Sequence, residues 1–277
     1  MDALPFVKMH GLGNDFVIID ARGEALTLAA AQVRAIADRR TGVGCDQLIT
    51  IEPAADADAF MRIHNADGGE AEACGNGARC VARLLMDELG RAAVTLETVV
   101  GHLDASADGR LITVDMGPVQ LDWGDIPLSE ETNTLHLRLG SSALGDGVAS
   151  NIGNPHLTFF VEDAETADIA SYGSRYETHP LFPRRVNVAI ASVTARGGLR
   201  LRVWERGVGI TRACGSAACA ATTAASRRGL IERRAEVTLD GGTLDIEWRA
   251  DNHVAMTGPT AVSFRGRLDP SLLAADD

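Results

Sequence analysis

The chain has 277 residues, 45% of them hydrophobic, with a formal net charge of −12 and a sequence pI of about 5.0. So much apolar side chain fills one large or two ordinary cores, because domains run roughly 50 to 200 residues, and two domains of similar size is the natural division. The acidic balance provides no basic field to attract nucleic acid phosphates or an anionic membrane surface, so neither is expected as a partner.

The amino terminus, MDALPFVKMHGLGNDF, lacks the basic start and apolar run of a signal peptide, and no stretch approaches the roughly 18 apolar residues of a membrane span; a cytoplasmic protein is expected. In that compartment five cysteines with no C-x-x-C read as reduced thiols. FVIID (16–20) is a strand-like run, LAAAQVRAIADRR (28–40) a helix-like one, and QLITIE (47–52) and FMRIHN (60–65) are again strands. GNGARCVARLLMDELG (75–90) reads as a helix closed by Gly90. AVTLET (93–98) and RLITVDM (110–116) follow as strands, with a hairpin turn at Asp108-Gly109 and a domain boundary at Gly117-Pro118. Further on come the strand RLRVW (200–204), the helix GSAACAATTAASRRG (215–229) closed by Gly229, and a second hairpin turn at Gly241-Gly242. Strands outnumber helices and hairpins make much of the sheet antiparallel, so the class is mixed α and β. Gly11-Leu12-Gly13 and Gly42-Val43-Gly44 lack the third glycine and the lysine of phosphate-binding loops and read as turns.

A constant offset aligns the two halves. Gly13-Asn14 falls on Gly153-Asn154 (153 − 13 = 140), MRIHN (61–65) on LRVWE (201–205), and Cys74-Gly75 on Cys214-Gly215. Each half therefore reads Gly-Asn, a strand, a polar residue nine positions before the cysteine, then Cys-Gly and a helix. Two pseudo-symmetric domains follow.

A thiol at the first turn of a helix lies where unpaired N–H groups and the helix dipole favour negative charge, which stabilises its thiolate as a base. The same N–H groups, opened by the glycines of CGNG (74–77) and CGS (214–216), make a nest for a carboxylate. Two such thiols facing one ligand suit stereochemical inversion. One thiolate removes the α-proton of an amino acid, the other thiol protonates the opposite face, and the carboxylate held by the helix ends takes up the developing charge, with no metal or pyridoxal required. Cys80 and Cys219 lie inside the helices and read as core, as does Cys45 in TGVGCDQ. Asn14, Asn65, Asn76, Asn154 and Asn187, beside glycines or at strand ends, suit a zwitterionic ligand; Glu205-Arg206 offers an acceptor for an ammonium and a fork for a carboxylate, and His156 could orient a base.

From KMHGLGNDF (8–16) through NADGGEAEACGNGARC (65–80), NIGNPH (151–156) and RVNVA (185–189) to VWERGVGITRACGSAACA (203–220), the chain closely resembles the diaminopimelate epimerases, nearly end to end. The resemblance implies a cofactor-independent isomerase of lysine and peptidoglycan precursor synthesis that interconverts LL- and meso-diaminopimelate, with Cys74 and Cys214 as acid and base. It implies substrate contacts at Asn14, Gln47, Asn65, Gly75, Asn76, Asn154, Asn187, Glu205, Arg206, Gly215 and Ser216, with His156 near the thiols. It implies no metal, a homodimer, and an α+β fold of two pseudo-symmetric lobes, each a mostly antiparallel sheet wrapped around a central helix. The first lobe, residues 1–117 plus 264–277, carries Cys74; the second, 118–263, carries Cys214.

Two departures are visible: Ile210 where many members have Glu, and Ala217 where Gly is common. Proline or hydroxyproline racemases of the same fold would also use two cysteines, but Asn65, Asn187, Glu205 and Arg206 form a polar distal site, which a second amino acid head needs and a cyclic imino acid does not. A zinc or non-catalytic thiol protein is the alternative outside enzymes. Its spacings, C-x5-C and C-x4-C within helices, do not present tetrahedral ligands.

Overall fold

The computed structural model describes residues 3–140 and 143–274. Residues 1, 2 and 275–277 of the expected first lobe, and 141 and 142 of the second, lie outside the described residues. Backbone proximity separates the chain into two compact units, residues 1–114 with 258–277 and residues 115–257.

In the first unit the chain order is β1 (Leu4–Gly11), β2 (Asn14–Asp20), α1 (Ala30–Ala37), β3 (Gln47–Glu52), β4 (Ala59–Asn65), β5 (Glu70–Ala71), α2 (Gly75–Leu89), β6 (Ala93–Thr98), β7 (Gly101–Asp108) and β8 (Leu111–Pro118). The pairs β1–β2, β3–β4, β4–β5, β6–β7 and β7–β8 are antiparallel, whereas β2–β3 and β4–β6 are parallel. Parallel neighbours need a crossover, and α1 and α2 supply the two. After the second unit, β17 (Ala261–Leu268) returns to pair antiparallel with β1, and α5 (Pro270–Leu273) packs beside α1.

The second unit repeats the scheme: β9 (Val148–Asn151), β10 (Pro155–Phe160), α3 (Ile169–Glu177), β11 (Asn187–Val193), β12 (Leu199–Glu205), β13 (Gly209–Thr211), α4 (Gly215–Arg227), β14 (Arg234–Leu239), β15 (Gly242–Trp248) and β16 (His253–Pro259). Here β10–β11 and β12–β14 are the parallel pairs, crossed over by α3 and α4. The 140-residue register is thereby a repeat of topology: β3 and β11 start at 47 and 187, β4 and β12 end at 65 and 205, and α2 and α4 start at 75 and 215.

In the second unit β11 is covered on both faces, which is why it is buried along six consecutive residues, whereas β7 and β14 alternate buried with exposed residues and keep one open face. In the first unit α2 packs against β1, β2, β6 and β7, while Val33 and Ile36 of α1 join Phe6, Val17, Ile19 and Leu48 in a second core. In the second unit α4 lies against β9 to β12, β14 and β15, and α3 closes the other face through Ile169 and Tyr176 with Phe159, Val188 and Ile190. A helix enclosed by so many strands must be slim. Residues 217–225 of α4 are all Ala, Cys or Thr, and all are buried. Gly90 ends α2 in the left-handed conformation, φ 63°, where a side chain would be strained.

Local expectations are corrected in four places. The first helix is shorter than 28–40: it starts after Ala29, whose N–H donates to Gln32 Oε1 at 2.8 Å, and stops at Ala37, because Asp38 Oδ1 accepts from the N–H groups of Arg40 and Thr41 and turns the chain. Both hairpin turns shift by one residue: the first lies at Gly109-Arg110, with Asp108 already paired to Leu111, and the second at Asp240-Gly241, with Gly242 already paired to Leu239. Finally, α3 is an element outside those expected from the sequence; a Cβ at its Gly173 would lie 2.4 Å from Trp204 Cβ and Cγ, so the glycine serves helix-to-strand contact. Among the described residues no helix is long and apolar enough to cross a membrane.

Candidate active site

Both expected thiols are N-caps. Cys74 has an extended backbone, φ −150° and ψ 102°, before α2, and its sulfur accepts from the Gly77 N–H at 3.4 Å. Cys214 takes the same conformation, φ −129° and ψ 111°, before α4, with its sulfur 3.5 Å from Ser216 Oγ. Each sulfur therefore lies at the positive end of a helix of 15 or 13 residues, where the first-turn N–H groups of Gly75-Asn76 and Gly215-Ser216 lack intrahelical acceptors. Such an end suits a thiolate and a substrate carboxylate alike.

Around Cys74 the asparagines converge. Asn14 Oδ1 lies 3.8 Å from the sulfur and accepts from Asn76 Nδ2 at 3.1 Å, and Asn76 Oδ1 accepts from the buried Arg79 at 2.9 Å. Asn14 Nδ2 donates to Asp46 Oδ2 at 2.9 Å. Gln47 and Asn65 face each other across β3 and β4, with Gln47 Nε2 donating to Asn65 Oδ1 at 3.0 Å. An ionic frame supports this wall. Asp15 is bound by both Arg39 and Lys8; burial pulls its carboxyl upward, but those two cations outweigh burial and hold it well below the usual carboxylate range.

In the second unit His156 is buried, and its Nε2 donates to Asn154 Oδ1 at 2.7 Å, which directs the Asn154 amide. Burial, reinforced by Arg206, pushes the imidazole down to about 3, so His156 is neutral at physiological pH and orients a neighbour instead of carrying a proton. Asn187, in register with His156, has both amide ends engaged: Nδ2 donates to Pro155 O and Oδ1 accepts from the Arg206 N–H, each at 3.0 Å. Glu205 accepts from Thr211 Oγ1, and Arg206 donates to Arg184 O. The turn after Arg206 is pinned by Glu177 at the end of α3, which accepts from the Trp204 indole at 2.7 Å and the Gly207 N–H at 2.8 Å.

Cys45, Cys80 and Cys219 are buried, and burial drives the first two thiols up to about 11 and about 12, which keeps them inert. Among the described residues no group of three or more His, Cys, Asp or Glu could hold a metal ion. A cavity of about 600 Å³ in the second unit, lined by Glu162, Asp163, Asp168 and Tyr172 among others, contains none of the expected site residues.

Sequence reading missed Asp46, Arg79, Glu177 and Thr211. Asp46 follows a segment read as a turn and a core cysteine, and Glu177 lies on a helix outside the predicted elements. Arg79 had a signal that went unused: an arginine amid the small and apolar residues of a buried helix face.

The diaminopimelate epimerase family profile matches residues 6–121 and 148–262. The chain belongs to that family. Diaminopimelate epimerases of Rhodospirillum centenum and Phenylobacterium zucineum are each 55% identical to it, over 97% of this chain and 93% of the relative, and 95% and 97%, respectively. Among solved structures, a hydroxyproline epimerase from Agrobacterium vitis with bound trans-4-hydroxy-L-proline aligns with TM-score 0.71 at 16% identity, covering 99% of this chain and 95% of that one. A phenazine biosynthesis protein of the PhzF family from Enterococcus faecalis aligns with TM-score 0.71 at 14% identity, covering 96% and 99%. These likenesses are of fold, and they agree with the α+β class. Against the diaminopimelate epimerase pattern, Ala217 has a local explanation. Its counterpart Gly77 cannot gain a Cβ without reaching 2.7 Å from Ile49 Cδ1, whereas the counterpart of Ile49 is the smaller Ala189. Ile210 is half exposed on β13, opposite Trp204.

Proposed function

We propose that Cys74 and Cys214 are the two acid/base groups with which this diaminopimelate epimerase interconverts LL- and meso-diaminopimelate. The observation that carries the assignment is the repetition of one device, a cysteine N-cap on a buried central helix, once in each unit at the same register. In the forward step one thiolate takes the α-proton, so that the C–H bond breaks, an S–H bond forms and the electron pair moves into the carboxylate as an enediolate. The other thiol then gives its proton to the opposite face of the same carbon and becomes the thiolate. The helix N–H groups at Gly75-Asn76 and Gly215-Ser216 stabilise the charge developing on the carboxylate oxygens. The enzyme leaves each turnover with its thiol and thiolate exchanged.

Asn14, Gln47, Asn65, Asn76, Asn154, Asn187, Glu205 and Arg206 are proposed to hold the substrate, Glu205 taking an ammonium and Arg206 a carboxylate of the second amino acid head. Asn187 is braced against Pro155 and Arg206 by its own hydrogen bonds, which preorganises it for that contact. His156 supports Asn154. The isomerase activity places the protein in lysine biosynthesis, and a cytoplasmic homodimer is the proposed working form.

The test is proton NMR in heavy water with LL-diaminopimelate, a reductant and no added cofactor, with Cys74→Ala and Cys214→Ala run in parallel. The α-proton signal should disappear as the meso isomer forms, and each variant should lose activity by a factor of about 10³ or more. Exchange with proline but not diaminopimelate would overturn the substrate assignment, and full activity in either variant would overturn the pairing of thiols.

A further inference from the structure

The two halves share a topology but differ in charge behind their thiols. At the 140-residue offset Lys8, Asp15, Arg39, Asp46 and Arg79 fall on Val148, Pro155, His179, Val186 and Cys219. The ionic frame thus belongs to the Cys74 side, and it ends on the Asn14 side-chain amide, whose Oδ1 lies 3.8 Å from that sulfur.

The polarity of that network follows from its two ends. A guanidinium only donates and an ionised carboxylate only accepts. Arg79 Nη2 donates to Asn76 Oδ1 at 2.9 Å, so the other end of Asn76 is Nδ2, which donates to Asn14 Oδ1 at 3.1 Å. Asn14 Nδ2 in turn donates to Asp46 Oδ2 at 2.9 Å, and Arg39 Nη2 holds Asp46 Oδ1 at 2.6 Å. Both ends dictate the same arrangement, so the Asn14 amide cannot rotate without breaking one bond at each side. Its Oδ1, the end directed to Cys74 Sγ at 3.8 Å, can accept a proton from the thiol and opposes a bare thiolate with the negative end of its dipole. Gly11 packs closely on this arrangement: a Cβ there would lie 2.9 Å from Arg79 Nη2. In the second half the equivalent asparagine has a different partner, since the Asn154 Oδ1 accepts from the His156 Nε2–H.

We propose that Asp46 is a positioning residue for the Cys74 thiol: by holding the Asn14 amide nitrogen it fixes Oδ1 towards the sulfur and keeps the proton on Cys74 until substrate arrives. The charged groups joined to Asp46 and the two asparagines are Lys8, Asp15, Arg39 and Arg79, of which Arg39 and Arg79 hold the relay at its two ends and Lys8 acts through Asp15. The proposal rests on Cys74 being a reacting thiol. Its test reads the sulfur without turnover, so retained activity in Cys74→Ala, which would sink that assignment, is a separate result.

Iodoacetamide alkylation at neutral pH, followed by mass spectrometry of the Cys74 and Cys214 peptides, is compared in the unsubstituted enzyme, Asp46→Ala, Asn14→Ala and the double variant. Asp46→Ala frees the amide to turn Nδ2 towards the sulfur, so Cys74 should react about fivefold faster, the worth of one ordinary net hydrogen bond, while Cys214 stays within about twofold. In the Asn14→Ala background Asp46→Ala should add nothing, because the path through the amide is already gone. Equal acceleration in both backgrounds would assign the effect to the Asp46 charge itself and overturn the proposal. So would an unchanged Cys74 rate, or Cys74 and Cys214 accelerating together as a loosened fold would make them.

Discussion

Glu177 should be a stability determinant that acts through the turn after Arg206. Its carboxylate is largely buried at the end of α3 and accepts from the Trp204 indole N–H at 2.7 Å through one oxygen and from the Gly207 N–H at 2.8 Å through the other. Arg185 Nη1 lies a further 3.6 Å from it. A hydrogen bond to a charged group contributes roughly 1.5 to 3 kcal/mol net, and two donors left without acceptors add a desolvation cost, so Glu177→Ala should destabilise the protein by about 4 kcal/mol. Glu177→Gln keeps the volume but offers only one oxygen. One donor then meets an NH2 group, so about half that loss should appear. Equilibrium urea unfolding followed by tryptophan fluorescence measures both variants, with the slope of the transition confirming that only stability has changed. Were Glu177→Ala to unfold within about 0.5 kcal/mol of the unsubstituted protein, or Glu177→Gln to match it, the carboxylate would not be holding Trp204 and the turn after Arg206, and the reasoning would fail.

Stability should also depend on pH through His156: the unfolded imidazole binds a proton below its ordinary value of 6.5, whereas the buried one resists until about 3. Unfolding free energy is therefore highest above 6.5 and falls by about 1.4 kcal/mol per pH unit as the pH drops through that window, and His156→Gln should flatten the slope in acid titrations of urea stability. Lys8→Met should cost about 2 kcal/mol near neutrality by leaving the half-buried Asp15 with Arg39 as its one cation, besides the Asp46 N–H. Because the Asp15 carboxyl is held low in the folded protein, its stabilisation is present above the ordinary value of 3.8 and disappears as pH falls through the folded value; a deficit that persists unchanged in strong acid would count against the pairing. Gly173→Ala places a methyl 2.4 Å from Trp204 Cβ and Cγ, and overpacking of roughly 1 to 3 kcal/mol should exceed the roughly 1 kcal/mol gained in helix propensity. A rise in melting temperature would contradict that contact.

Local chemistry was enough to read the two Cys-Gly helix starts, the 140-residue register, the central helices and the strands at 47–52 and 93–98, because each is specified by neighbours in the chain: apolar periodicity, a cap, a terminal glycine. The asparagines and Glu205-Arg206 were legible as candidates for the same reason, standing beside glycines or at strand ends. What only the tertiary structure decided is how these groups are held. Asp46 reaches Asn14 from 32 residues away, Glu177 reaches Gly207 from 30, and the buried Arg79 holds Asn76, which reaches Asn14 from 62. Such partners are chosen by sheet register and helix packing, which bring together residues whose own sequence surroundings carry no mark of it. The same holds for α3, whose Gly173 is required in space by the indole beside it. A repeated motif therefore announces what chemistry two thiols can perform; the unlike charges folded behind them, ionic at Cys74 and apolar or neutral at the equivalent places of Cys214, make the two halves different.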